Sequence, residues 1–269
     1  MIIYEAICRK DDDIMGKTYS WDNDSQSLTV FSKTGVRDYC LDNNIKLSSF
    51  NNQVLIDDSV EDCSFMFYNC ESYDRPTDIP ESVKKCHGMF YGCDSYNQPT
   101  IIPNSVEDCS GMLSGCTAYN QPMDMPDSVK DCSSMFSGCT SYNQPTCISG
   151  SVKYCGRMFS GCTSYDQPTG IPDSVIDCSF MFADCISYDQ PTNMPNSVND
   201  CRYMFYGCKS LDQDIKLSER AENMGAFDAC PLMECCNKKT TTVSKVLTRF
   251  ACIDKGQLSE ALEDDRQYD

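Results

Sequence analysis

Cysteine is the residue type that most invites chemistry in this chain, with 21 in 269 residues. Fourteen of them fall into two series, Cys63, Cys86, Cys109, Cys132, Cys155, Cys178, Cys201 and Cys70, Cys93, Cys116, Cys139, Cys162, Cys185, Cys208. Thiols in such arrays can form disulfides, ligate metal or act as nucleophiles. The Cys-x6-Cys spacing is longer than the short Cys-x2–4-Cys pairs of zinc sites. Cys230, Cys235, Cys236 and Cys252 could together close a tetrahedral site, although adjacent Cys235 and Cys236 do not readily share one ion. The single histidine, His87, follows Cys86, which belongs to a buried series and so points away from it; a Cys-His nucleophile pair is not expected. Gly16-Lys17-Thr18 matches only the end of a phosphate loop, with Asp11 where the first glycine belongs. The Asx series Asp74, Asn97, Asn120, Asn143, Asp166, Asp189, Asp212 suits turn formation, with calcium as the alternative ligand. No catalytic constellation emerges, and no cofactor is expected.

What positions these residues is a repeat. Ser-Val recurs at Ser59, Ser82, Ser105, Ser128, Ser151, Ser174 and Ser197, each step being 23 residues. Counting that Ser as position 1, the unit is SVxxCxxMFxGCxSY(N/D)QPTxIPx. A unit this short cannot bury its own apolar face, but stacked units cover one another. The fixed Val, Cys, Met, Phe, Cys, Tyr and Ile are expected to form columns inside the stack. Consecutive windings sit ~4.8 Å apart at strand spacing, with parallel side chains, whereas a disulfide wants convergent Cβ atoms about 3.8 Å apart. Free, buried thiols acting as small apolar fillers are therefore expected. Two prolines per unit exclude a long helix. Short parallel strands are expected at Thr-x-Ile and near Val-x-x-Cys, with one helical turn at Met-Phe. Gln98, Gln121, Gln144, Gln167 and Gln190 are expected to bond one another or the backbone along the stack.

The string IPNSVEDCSGMLSGC, Ile102 to Cys116, resembles the 23-residue repeat of BspA-like leucine-rich-repeat proteins, with its PxSVxxI…AFxGCxxL pattern. MFxGCxSYNQP is similar to the Met-Phe/Asn-Gln repeats of certain bacterial surface lipoproteins. The chain departs from the pattern with Cys at position 5, Tyr at 15 and Pro at 18. The resemblance implies an adhesive or recognition module with no common enzymatic activity.

The expected fold is thus α/β: a leucine-rich-repeat-like solenoid of seven 23-residue coils with short parallel strands, spanning 59–219. Residues 1–58 do not repeat; IIYEAICRK, KTYSW and SLTVFSK read as strands, WDNDSQS as a turn, and the whole as an N-terminal β cap or small β-domain. In 220–269, Val243, Val246, Leu247, Phe250 and Ala251 share one helical face, so a helical cap and acidic tail are expected.

With 22 basic against 40 acidic residues and a net charge of −18, the surface is wrong for nucleic acid or an anionic membrane. MIIYEAICRKDDD lacks the parts of a secretory signal, and no apolar run is long enough to span a bilayer, so a cytoplasmic or virion location is expected. A recognition surface should lie at the positions that vary: Phe65, Arg157, Phe180 and Tyr203 at position 7, Tyr68, Tyr91 and Tyr206 at 10, and Ile101, Asp124 and Asn193 at 20. The expected function is non-enzymatic recognition of a protein or glycan, with adhesion as one form of it. A structural part of a phage or viral particle bound to neighbouring subunits is the first alternative, and a thiol-rich metal-binding protein the second.

Overall fold

The structure, a computed structural model, describes residues 16–218 and 220–230. The segments IIYEAICRK, Val243–Ala251 and the acidic tail lie outside the described residues. β1 (Tyr19–Asp22) runs antiparallel to β2 (Ser27–Val30), with Tyr19 opposite Val30. The turn between them forms because Asp22 accepts the Asp24 amide at 2.9 Å and the Ser25 hydroxyl at 2.8 Å. β2 then pairs in parallel with β3 (Gln53–Ile56), Leu28 opposite Val54. Between β2 and β3 lies α1 (Gly35–Asp42), which buries Val36, Tyr39 and Cys40 against the sheet; the sequence reading passed over this short helix. Among the described residues no helix is long and apolar enough to cross a membrane.

Beyond β3 the chain is a repeat fold, each winding lying over the next. Single-residue parallel bridges link position 4 throughout, Asp62 to Lys85, Lys85 to Asp108, and so on to Glu222. The amides of positions 5, 7, 9 and 11 donate to the carbonyls of positions 4, 6, 8 and 10 in the next winding: Cys86 to Asp108, Gly88 to Ser110, Phe90 to Met112, Gly92 to Ser114. Those of positions 8, 10 and 12 turn back into their own winding, Met89 to Cys86, Tyr91 to Gly88, Cys93 to Phe90. The amides of these seven positions are thereby paired.

This corrects the expected helical turn at Met-Phe. The stretch is a run of overlapping turns, because positions 7 and 11 take positive φ (55° at Gly88, 69° at Gly92), which a right-handed helix excludes. The expected strand at Thr-x-Ile forms as a pair only between β4 (Met123–Asp124) and β5 (Thr146–Cys147). Prolines at positions 18 and 22, as in Pro76 and Pro80, remove amide donors on either side of it elsewhere; β5 belongs to a winding where Ser149 replaces the second proline. That replacement causes no kink, since Val152 N–H still reaches Ser149 O at 3.1 Å, as Val129 reaches Pro126 at 3.2 Å.

The columns fill the interior. Val, both Cys, Met, Phe and Tyr are buried in successive windings; position 21 is only partly so, with Ile79, Met125 and Met194 half-buried. The Tyr rings lie 5.9–6.1 Å apart from Tyr73 to Tyr188. Phe rings are closer, 5.1 Å between Phe67 and Phe90 and 5.6 Å between Phe159 and Phe182. Direct backbone pairing sets ~4.8 Å at the ladder. Equivalent side chains in one rotamer report the local separation of windings, so the stack fans open from the ladder toward the tyrosines.

The wider side is bridged by side chains. Asn97 Oδ1 accepts the Asn120 amide at 2.9 Å and Gln121 Nε2 at 3.1 Å, and the pattern holds from Asp74 to Asp189. The glutamines therefore bond the Asx of the preceding winding rather than one another. The columns also begin before Ser59: Asn51 Oδ1 accepts the Asp74 amide, and Phe50 stacks on Tyr73 at 5.8 Å. At the other end the ladder continues past 219, Cys201 donating to Glu222 and Gly207 to Asp228.

In five windings the buried Tyr hydroxyl meets the Thr four residues on, 2.7 Å for Tyr142 to Thr146. That Thr donates its own proton to the carbonyl of position 17, Gln144 O at 3.2 Å, so the Tyr is the donor. Tyr119 has Met123 at that place, and its buried hydroxyl, although near Thr100 of the preceding winding, makes no hydrogen bond of good geometry. Tyr119→Phe is expected to stabilise the protein by about 1 kcal/mol while Tyr142→Phe destabilises it by about as much; denaturant unfolding of both variants checks the opposite signs.

Candidate recognition surface

Positions 7 and 10 flank the backbone ladder, on the narrow side of the stack. Position 7 is left-handed in every winding, glycine or not: φ is 57° at Phe65, 58° at Arg157, 54° at Phe180 and 54° at Tyr203, against 55° at Gly88 and 60° at Gly111. The left-handed turn aims each side chain along the ladder, and the aromatic ones gather into two clusters.

In the first cluster the Phe65 ring meets His87 edge-on at 4.8 Å and Tyr68 at 5.8 Å, while Tyr68 stacks on Tyr91 at 5.3 Å. The Phe65 ring lies over Gly88, where a Cβ would collide with it. In the second, the Arg157 guanidinium sits 4.6 Å from the centre of the Phe180 ring, Phe180 stacks on Tyr203 at 4.9 Å, and Tyr203 meets Tyr206 edge-on at 6.2 Å. Tyr203 in turn lies over Gly225. Between the clusters, Gly111 and Ser134 at position 7 and Ser114 and Ser137 at position 10 leave the ladder nearly bare.

The structure brings the seven position-7 and position-10 candidates, Phe65, Tyr68, Tyr91, Arg157, Phe180, Tyr203 and Tyr206, into these clusters. Ile101, Asp124 and Asn193 are exposed, Ile101 at 83 %, but make no hydrogen bond or ring contact with them among the described residues. Asp124 pairs through its backbone with Cys147 in the β4–β5 sheet. His87, Lys33 and Arg202 belong to the same face and were missed. Their signal was adjacency: His87 and Arg202 occupy position 6, beside the left-handed residue. His87 bonds Ser110 through Nδ1, and Arg202 reaches Asp200 at 2.6 Å.

Carboxylates edge the face at position 4, in Asp62, Asp108, Asp131, Asp177 and Asp200. Partial burial opposes ionisation of Asp62, yet hydrogen bonds from Ser64 and Lys33 hold its carboxyl down at about 2.

Neither cysteine column is arranged for chemistry. All described cysteines are free thiols, and of these only Cys147 is exposed. Burial pushes the Cys63 and Cys201 thiols up to about 12, so the reactive thiolate is suppressed. The position-12 thiol has a definite partner: Cys93 Sγ reaches Phe67 O at 3.0 Å, Cys139 reaches Leu113 O at 3.0 Å and Cys162 reaches Phe136 O at 2.9 Å. These cysteines are donors as well as fillers. Among the described residues no three His, Cys, Asp or Glu side chains gather as a metal site. Cys235, Cys236 and Cys252 lie outside the described residues. The Asx oxygens proposed for calcium are taken up by the next winding's amide and glutamine.

The family model described as "Mycoplasma protein of unknown function, DUF285" matches residues 44–102, 102–172 and 150–231. A comparison with curated proteins finds no match. Among solved structures, a leucine-rich repeat protein from Bacteroides ovatus is similar with a TM-score of 0.56 and 18% identity, over 82% of this chain and 57% of that one. The chain thus spans little more than half the length of that protein. A leucine-rich repeat protein of T. pallidum matches over 69% of this chain and 85% of its own, with 17% identity and a TM-score of 0.46. One from Eubacterium ventriosum matches over 81% and 51%, with 18% identity and a TM-score of 0.47. With the matched segments covering most of the chain, the protein belongs to the DUF285 family, and its fold is that of a leucine-rich repeat protein.

Proposed function

We propose that the chain is a non-enzymatic recognition module that binds a protein partner through the two aromatic clusters on its narrow side. The observation that carries this reading is the backbone at position 7. A non-glycine residue in the left-handed region costs about 1–2 kcal/mol, and bulky ones rarely adopt it. Glycine satisfies the same geometry at Gly88, Gly111 and Gly225. Yet Phe65, Arg157, Phe180 and Tyr203 hold it at partly exposed sites, where the strain that glycine would avoid offsets the ring contacts they make. Backbone strain kept in this way points to a surface selected for what it touches. Tyr, Phe and Arg are also the residues enriched at the anchors of protein interfaces.

A protein partner suits the clusters better than a glycan. Sugar rings stack on open aromatic faces, but here the faces are occupied: Phe180 lies between Arg157 and Tyr203, and Tyr203 between Phe180 and Gly225. Ring edges and hydroxyls are what remain for a partner. On this reading seven coils form the rigid support, residues 1–58 and 220–269 close its two ends, and the position-20 residues Ile101, Asp124 and Asn193 are a secondary surface.

Relief of the left-handed strain offsets the lost ring contact, so Phe180→Asn and Tyr203→Asn are each expected to change the unfolding free energy by less than about 1 kcal/mol. Peptides selected on the full chain from a random displayed library are expected to lose at least about tenfold in affinity for these variants. Selected peptides that bind the variants as tightly as the parent, or a glycan array that gives ligands where the peptide library gives none, would contradict the reading.

A further inference from the structure

A cavity of about 370 Å3 opens where the first turn of α1 meets the first winding. Leu47 and Met66 supply an apolar floor, Phe65 and Tyr68 an aromatic wall, and Lys33 and Arg37 a cationic rim. The two cations differ in what they already hold. Lys33 Nζ is 2.9 Å from Asp62 Oδ2, so its charge is answered within the protein. Arg37 is exposed and has no ion pair or hydrogen bond among the described residues. The nearest carboxylate on its own helix, Asp38, instead takes the Thr34 hydroxyl at 2.7 Å.

The rim of this cavity thus carries an unanswered guanidinium although carboxylates outnumber cations in the chain, 40 to 22. A planar guanidinium beside an aromatic wall fits one chemistry well: a carboxylate accepted by the fork of the Arg, with an apolar group adjacent to it lying against the ring. We propose that this cavity binds an acidic side chain followed by an apolar one in the partner's peptide chain. The proposal rests on the reading of the aromatic face as a recognition surface, since Phe65 and Tyr68 belong to both. It also gives that face a polarity, with the partner's acidic residue lying at the β1–α1 end. The general negative charge of the chain repels acidic partners, so only one able to place a carboxylate in this cavity would overcome that repulsion, and charge becomes a source of selectivity.

The test uses the full chain and two blocked dipeptides, acetyl-Glu-Phe-amide and its neutral counterpart acetyl-Gln-Phe-amide, followed by NMR at the Arg37 side-chain Nε–H and the Phe65 and Gly88 amides. The Glu dipeptide is expected to shift all three signals saturably at about millimolar concentration, as befits one ion pair and one ring contact. The Gln dipeptide should bind at least about fivefold more weakly. Arg37→Gln should weaken the Glu dipeptide by a similar factor, with Arg37→Lys partly restoring it, and Arg37 is exposed enough that neither variant threatens the fold. Equal binding of the two dipeptides, or no effect of Arg37→Gln, would overturn the assignment. Shifts at Arg37 on diluting the protein alone would also overturn it, by placing a second copy in the cavity. The result separates from that for the aromatic face. Library peptides that lose affinity for Phe180→Asn and Tyr203→Asn while the dipeptides fail would leave the face standing and remove the cavity. A binding dipeptide with insensitive library peptides would do the reverse.

Discussion

One carbonyl per winding, at the heart of the backbone ladder, takes a second bond from the neighbouring winding. The oxygen at position 9 accepts the amide of position 12 in its own winding, Cys93 to Phe90 at 3.0 Å, and the thiol of position 12 in the next, Cys116 Sγ to Phe90 O at 3.1 Å. The first bond closes a turn and the second ties that turn to its neighbour. A thiol is a weak donor, but here it points into a dry interior where an unpaired lone pair has no water to turn to. Cysteine fits because it is small enough for a narrow coil and still carries a proton to give. The same bond gives a reason for cysteine at this position in all seven windings.

From this register the rest follows in order. Carbonyl and amide groups at positions 4 to 11 alternate between the neighbouring winding and their own, which obliges positions 7 and 11 to turn left-handed. Direct backbone pairing on this side and side-chain bridging through Asx and Gln on the other make the windings closer at the ladder than at the tyrosines. The narrow side therefore presents its position-7 and position-10 side chains in closely spaced rows. Aromatic residues placed there must stack on one another, and they form two clusters separated by glycine and serine.

Much of this could be read from the sequence, because identical residues every 23 positions can only be columns. Cys, Met, Phe and Tyr were all correctly assigned to the interior, whereas position 7, read as exposed, runs from exposed at Phe65 to buried at Gly88 and Gly111. Direction was harder to read. The Asx at position 16 and Gln at 17 were visible as a pair, but not that one accepts from both the amide and the side chain of the next winding. The left-handed backbone was hidden because position 11 is glycine in most windings but Asn69 and Asp184 in two, while at position 7 Phe, Arg and Tyr conceal the pattern that Gly88 and Gly111 begin. The ends were hidden for another reason. Phe50 and Asn51 carry on the Tyr and Asx columns with most of the consensus lost, and the last bridge, Asp200 to Glu222, slips the period by one residue. Proline placement, readable from the start, should have warned against continuous strands at Thr-x-Ile.

The central claim is that the position-12 thiol acts as a hydrogen-bond donor, and substitution at Cys139 tests it most directly, measured by denaturant unfolding. Cys139→Ser keeps a proton to give to Leu113 O and is expected to cost about 1 kcal/mol, whereas Cys139→Val, apolar but unable to donate, is expected to cost about 2–3 kcal/mol through the orphaned carbonyl lone pair and the added bulk. If valine is tolerated and serine is the more damaging, the cysteine is an apolar filler only, and the register of the stack has some other cause.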